Sequence, residues 1–165
     1  MMDGSRIPRR QALQALGAIG VGAAAGALVP TGRARAQAPT FGQNESVQDA
    51  MKRLFGGKTI KDGSAVIKFD IPLIAENGSV VPVAVNVDSP MTASSYVKHI
   101  YVVADKNRIP VVTRVTLSPE AGKASVGANI RLGETGEVRA IVEQSDGTLL
   151  QVAREVKVTV GGCGG

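Results

Sequence analysis

Residues 80–87 read Val80-Val81-Pro82-Val83-Ala84-Val85-Asn86-Val87. Val81, Val83, Val85 and Val87 recur at every second position, the period of a strand with one buried face. The stretch follows Glu76-Asn77-Gly78-Ser79, a run of turn-forming residues. The same period extends in both directions. Ala65, Ile67, Phe69 and Ile71 alternate before it. After it come an apolar run, Ile100 to Val103, within 98–104, and the alternating sets Thr113, Val115, Leu117 and Val126, Ala128, Ile130, Leu132. Val138, Ala140 and Val142 follow, then the hairpin turn Ser145-Asp146-Gly147. Segment 148–160 closes the series with Val152, Val156, Val158 and Val160 in phase. About seven strands with regular turns, and no helical pattern between them, predict an all-β fold: an immunoglobulin-like antiparallel β-sandwich. The Cys…Trp…Cys signature of true immunoglobulin domains is missing.

Upstream the period is 3.6. Val47, Ala50, Met51, Leu54 and Phe55 share one helical face. Ser46 and Asp49 form an S-x-x-D capping pattern in front of it, and Gly56-Gly57 stops it. One short N-terminal helix therefore precedes the strands. Several strands are apolar on both faces: Val80 with Val81, Ile100 with Tyr101, Ile141 with Val142. A strand with a wet outer side should alternate more cleanly. The two readings are tolerated surface valines, or a second apolar patch that docks a partner.

The net charge of +5 looks like a nucleic-acid signal until it is split by position. Residues 1–36 hold five Arg against Asp3, which gives +4; residues 37–165 hold 14 basic and 13 acidic residues, which gives +1. Without that leader the chain is nearly neutral, and with only five aromatic residues it has little to stack bases on. No nucleic-acid partner is expected. Residues 1–36 have the layout of an export signal: Arg9-Arg10, then the uncharged stretch Ala12 to Val29, then A-x-A cleavage sites ending at Ala36 and Ala38. Pro39 after the second site favours cleavage after Ala36. Gly and Ala dominate the stretch, which makes it a poor transmembrane helix, so no membrane association is expected. Adjacent arginines before a mildly apolar segment fit a twin-arginine signal for folded export; a general secretory signal with two incidental arginines is the alternative.

No catalytic constellation is visible. His99, the sole histidine, sits in a predicted strand and is expected to be a sheet-surface residue. The Asp residues fall mostly at turns. No glycine loop has phosphate-binding spacing, and no cofactor or metal site is expected. The informative stretch is Gly161-Gly162-Cys163-Gly164-Gly165. It holds the only cysteine of the chain, between four glycines. Such a tail is expected to be a flexible arm outside the sandwich, reaching about 10 Å and passing where any side chain would clash. Its thiol has no cationic neighbour in sequence, so its pKa should stay near the ordinary cysteine value of about 8.5. That suits a carrier whose partners supply activation better than an enzyme nucleophile. An incidental cysteine and an intermolecular disulfide are the plainer readings.

The GGCGG run, the twin-arginine-like leader, Ile74-Ala75-Glu76-Asn77-Gly78 followed by Val80-Val81-Pro82-Val83, and Glu155-Val156-Lys157-Val158-Thr159-Val160 together resemble the SoxY family. These are the sulfur-carrier subunits of the bacterial thiosulfate-oxidising Sox system. The resemblance spans nearly all of residues 37–165, and the terminal motif is its specific part. Ala12 and the Arg108-Ile109-Pro110 sequence after Lys106-Asn107 depart from the usual pattern. The resemblance implies three regions: a cleaved export signal (1–36), a helix plus sandwich domain (37–160) and a carrier arm (161–165). It implies covalent sulfur attachment at Cys163, with Gly161, Gly162, Gly164 and Gly165 giving the arm freedom. It implies a periplasmic carrier rather than an enzyme, paired as a heterodimer with a SoxZ-like β-sandwich subunit. A haem enzyme that conjugates thiosulfate, a hydrolase that releases sulfate and a sulfane dehydrogenase would act on it. Two rivals stand beside this reading: a thiocarboxylate carrier using Gly164-Gly165, and an exported structural sandwich that dimerises through Cys163.

Overall fold

The structure, a computed structural model, describes residues 44–161. The expected export signal, and Gly162, Cys163, Gly164 and Gly165, lie outside the described residues.

Helix α1 spans Val47–Phe55, and both of its ends are made as the sequence predicts. The Ser46 hydroxyl accepts the Asp49 N–H at 3.1 Å and donates to the Asp49 carboxylate at 2.7 Å. Gly56 takes a left-handed conformation, φ 61°, and its N–H donates to the Lys52 carbonyl at 2.8 Å. A residue with a Cβ resists that conformation.

The strands are β1 (Ile60–Asp62), β2 (Ile67–Asp70), β3 (Ile74–Ala75), β4 (Val81–Val87), β5 (Val97–Ala104), β6 (Val111–Thr116), β7 (Ala124–Ile130), β8 (Gly136–Gln144) and β9 (Leu149–Val158). One sheet has the order β1-β9-β8-β5-β6, with β3 also paired to β9; the other has the order β2-β4-β7. All seven expected strands form, and their pairings are antiparallel. The short strands β1 and β3 were not foreseen, and both run parallel to β9. The architecture is an immunoglobulin-like β-sandwich with one short helix before it.

The valines of the opening stretch do what their period implies. Val81, Val83, Val85 and Val87 are buried and meet Ile100 and Val102 of β5 and Val138, Ala140 and Val142 of β8 in the core between the sheets. The strands apolar on both faces resolve into two cases. Val80 is 59% exposed, a surface valine. Tyr101, Val103, Ile141 and Leu149 form a second buried cluster with Ala50, Phe55 and Val111, and Val47, Met51 and Leu54 pack against it. The patch on the outer face of the larger sheet therefore docks the chain's own helix. Phe55 meets Tyr101 edge to face, with ring centroids 5.2 Å apart. A helix of nine residues is too short to stand alone in water. Each large apolar side chain it helps bury contributes about 1.5–3 kcal/mol, so packing holds it in place.

No helix among the described residues is long and apolar enough to cross a membrane.

Candidate functional site at the end of strand β9

Strand β9 delivers the chain to Gly161, the last described residue, and the structure grips that delivery point from two sides. On one side β3 lies parallel to it, pairing Ile74 with Lys157 and Ala75 with Val158. The Lys157 N–H donates to the Leu73 carbonyl at 2.8 Å, and the Thr159 N–H to the Ala75 carbonyl at 3.0 Å. The Thr159 hydroxyl donates to the Glu76 carbonyl at 2.9 Å. The Gly78 N–H donates to the Val160 carbonyl at 2.7 Å.

On the other side stands the β7–β8 connection. The Val158 N–H donates to the Thr135 hydroxyl at 2.9 Å. The Leu132 N–H donates to the Gly78 carbonyl at 2.8 Å, which ties the two sides together. Asn107, only 7% exposed, staples this connection through both ends of its amide. Its Nδ2 donates to the Arg131 carbonyl at 2.8 Å, and its Oδ1 accepts the Gly133 N–H at 3.0 Å. A buried amide satisfied at both ends specifies one geometry, because either half left unpaired would be destabilising.

Gly161 fits closely into this clasp. A Cβ at position 161 would fall inside 3.0 Å of the Gly133 carbonyl oxygen, a separation that real Cβ atoms essentially never show. The obstacle is backbone and cannot swing aside. Position 161 thus has a steric reason to be glycine, besides the conformational freedom expected of it. Cys163, Gly162, Gly164 and Gly165 lie beyond this point, outside the described residues. In the sequence Gly78 reads as turn chemistry. Asn107 entered only as half of a Lys-Asn pair. A polar residue in a loop-forming run carries no local mark of burial, so its role was not legible.

His99 departs from expectation. It is 8% exposed, a buried residue rather than one on an open sheet surface. Its Nδ1 lies 3.0 Å from the Thr116 hydroxyl and its Nε2 lies 3.4 Å from the Arg114 guanidinium. The Tyr101 ring is 5.8 Å away between centroids. Burial, and then the Arg114 cation, hold the imidazole pKa below its ordinary value. Burial raises that of Tyr101. Among the described residues, no group of three or more His, Cys, Asp or Glu could hold a metal ion.

A groove of about 410 Å³ runs beside α1, lined by Val47, Met51, Phe55 and Ile60 with Asp105 and Arg139 at its polar end. Those two charges bind each other, at 2.7 and 2.9 Å.

The family described as "Sulfur oxidation protein SoxY" matches residues 51–163, a span that begins within α1 and runs through Cys163. Among solved structures, the sulfur carrier protein SoxY from Chlorobium limicola f thiosulfatophilum is similar at 31% identity. The match has a TM-score of 0.58 and covers 70% of this chain and 97% of that one. A superoxide reductase (neelaredoxin) from Ignicoccus hospitalis aligns at 18% identity and a TM-score of 0.51, covering 69% of this chain and 93% of that one. A putative superoxide reductase from Thermotoga maritima aligns at 17% identity and a TM-score of 0.50, covering 61% and 92%. The likenesses to the two reductases show the fold alone. No significant match was found among curated proteins.

Proposed function

The chain belongs to the SoxY family of sulfur-oxidation proteins, and from that premise we propose that it is a carrier, holding thiosulfate-derived sulfur covalently on Cys163 and presenting it to partner enzymes. One observation carries the proposal: the family match runs through residue 163, the chain's only cysteine, set between glycines on both sides. The relative from Chlorobium limicola is itself described as a sulfur carrier.

The chemistry asks little of the carrier. The Cys163 thiol and thiosulfate join through a sulfur–sulfur bond, leaving Cys–S–S–SO3⁻, one proton and two electrons. A haem enzyme takes the electrons. Hydrolysis of the terminal sulfur–sulfur bond then releases sulfate and leaves a persulfide, Cys–S–SH. A sulfane dehydrogenase takes six electrons from the outer sulfur as three waters supply its oxygens and seven protons leave, giving Cys–S–SO3⁻, and a second hydrolysis releases sulfate and restores the thiol. The chain supplies a single attachment atom, and the four flanking glycines keep side chains out of the way. It acts as covalent substrate, with no catalysis and no cofactor of its own.

The remaining parts of the proposal follow the sequence. The leader directs folded export to the periplasm, with cleavage after Ala36. A SoxZ-like β-sandwich subunit accompanies the chain as a heterodimer.

The test is purification from the exported fraction, with intact-mass analysis before and after reduction. The proposal expects thiosulfate turnover to add sulfur species that reductant removes, and a second small subunit in the same fraction. A modified terminal carboxyl, or a disulfide dimer that never resolves, overturns it.

A further inference from the structure

Strand β8 begins at Gly136, opposite Val156, so the ladder that holds the middle of β9 on that side stops before the strand ends. From there the β7–β8 connection flanks β9. It meets the strand end at two places. The Thr135 hydroxyl accepts the Val158 N–H at 2.9 Å, and the Gly133 carbonyl stands against Gly161. Residues 131–135 belong to no helix or strand, and such a run yields easily unless something outside it holds it.

Two side chains hold it. Leu132 is buried in the core between the sheets. The Arg131 carbonyl and the Gly133 N–H flank Leu132 as the pair that an adjacent strand would bond, and the Asn107 amide takes that strand's place. An asparagine tip carries a donor and an acceptor side by side; aspartate lacks the donor and leucine lacks both. Asn107 itself has a firm base. Its N–H donates to the Ala104 carbonyl at 3.2 Å at the end of β5, which β8 and β6 flank in their sheet. The Lys106 stem before it lies so close over Gly136 that a Cβ there would collide with it. The firmness of the larger sheet thus reaches Gly133, and through it the end of β9, by way of one side chain.

That end decides where the sulfur goes. The Cα of residue 163 lies at most about 7 Å from Gly161, and its sulfur about 10 Å. A backbone wall in contact with Gly161 closes a large share of the directions open to so short an arm. Resting on the carrier reading above, we propose that Asn107 is a positioning residue for the arm. It holds Gly133 as a stop that keeps the arm from folding back along β8 and sends Cys163 beyond the end of the sandwich. An arm free to lie on either side points outward only part of the time. The apparent affinity of an enzyme that needs it outward then falls by that fraction.

The test uses the full chain with its partner subunit. Asn107→Leu keeps the bulk and removes both bonds. Asn107→Ser leaves room for water to pair the freed groups, so this chain carries the test if the leucine chain does not fold. A nitroxide on Cys163, the only cysteine, enhances the relaxation of amides it approaches. Folded back, the sulfur comes within about 7 Å of Gly136; pointing outward, it stays beyond about 17 Å. The enhancement falls with the sixth power of distance, so at the Gly136 amide it should rise by roughly tenfold or more in both variants. For the second readout, tetrathionate loads Cys163 by exchange, forming Cys–S–S–SO3⁻ and releasing thiosulfate and a proton. With the sulfate-releasing hydrolase, both variants should show KM raised roughly threefold and kcat within about twofold.

An amide that only stabilised the connection would lower the melting temperature and move neither readout. Either readout at its wild-type value in the folded serine variant overturns the positioning role and leaves the carrier reading standing. Enhancement at Gly136 in the wild type as strong as in the variants would show that no stop exists, with the same consequence. Sulfate release from a Cys163→Ser chain, or none from the loaded wild type, overturns the carrier reading and the role of Asn107 with it.

Discussion

Replacing Gly161 with alanine sets two responses of comparable size against each other. The new Cβ would fall inside 3.0 Å of the Gly133 carbonyl oxygen, and both partners are backbone. Forcing such an overlap into a packed site costs about 1–3 kcal/mol. The alternative is to let the strand end go. Its outermost tie is the Gly78 N–H to Val160 carbonyl bond, and one such bond contributes about 1 kcal/mol net. Release therefore wins over compression. The lost bond lies outside both buried clusters, so global stability should fall by no more than about 1 kcal/mol. Local order should change more. With Val160 free, the effective pivot moves back one residue and the reach of Cys163 grows by about 3.5 Å. Hydrogen exchange by NMR reads this directly: the Gly78 amide should lose protection by roughly fivefold, as expected for about 1 kcal/mol of local stability. The Leu132 amide should keep its protection, because Gly78 still accepts from it. Unchanged protection at Gly78, with wild-type shifts at Gly133, would refute the close fit of Gly161 against the β7–β8 connection.

Two further outcomes follow from the packing. Phe55→Ala removes a side chain that is 5% exposed and set edge to face against Tyr101, and should cost about 3 kcal/mol by urea denaturation; a loss under about 1 kcal/mol would mean that α1 does not cover the sheet. His99, held neutral by burial and by Arg114, has a folded pKa below its unfolded value. Its contribution is therefore complete above the unfolded value of about 6.5 and is lost as pH falls from there through the folded value. The melting temperature of the wild type should drop more steeply than that of His99→Gln between about pH 7 and pH 5; parallel curves would contradict the assignment.

The strands that were legible carried their own period. Val81 to Val87 announces a half-buried strand whatever lies around it, and Ser46 with Asp49 announces a helix start. Strands β1 and β3 offered nothing comparable. At three and two residues they are too short to show alternation, and they exist because β9 offers free backbone on its flank. The second apolar face was visible in Tyr101 and Ile141, and so was an apolar helix face in Ala50 and Phe55. Nothing local said that the two belong together, since a contact between residues 55 and 101 is a tertiary fact. His99 was misplaced for the same reason: its burial comes from neighbours on other strands, Arg114 and Thr116 of β6. The chemistry of the tail was readable because it is a matter of composition, one thiol among glycines. The clasp that holds Gly161 was not, because Asn107 acts through space on residues more than twenty positions away.

The central claim is that sulfur is carried on one atom of this chain. Intact-mass spectrometry after tetrathionate loading, on the wild type and on Cys163→Ser side by side, tests it most directly. The chain has no other cysteine. The wild type should gain the mass of one thiosulfate-derived group, lose one sulfonate as sulfate on exposure to the hydrolase, and return to its starting mass on reduction. The serine chain, with the same far-ultraviolet circular dichroism and melting temperature, should gain nothing. A serine chain that still gains a reducible sulfur adduct, or a wild type whose adduct the hydrolase leaves intact, would contradict the account.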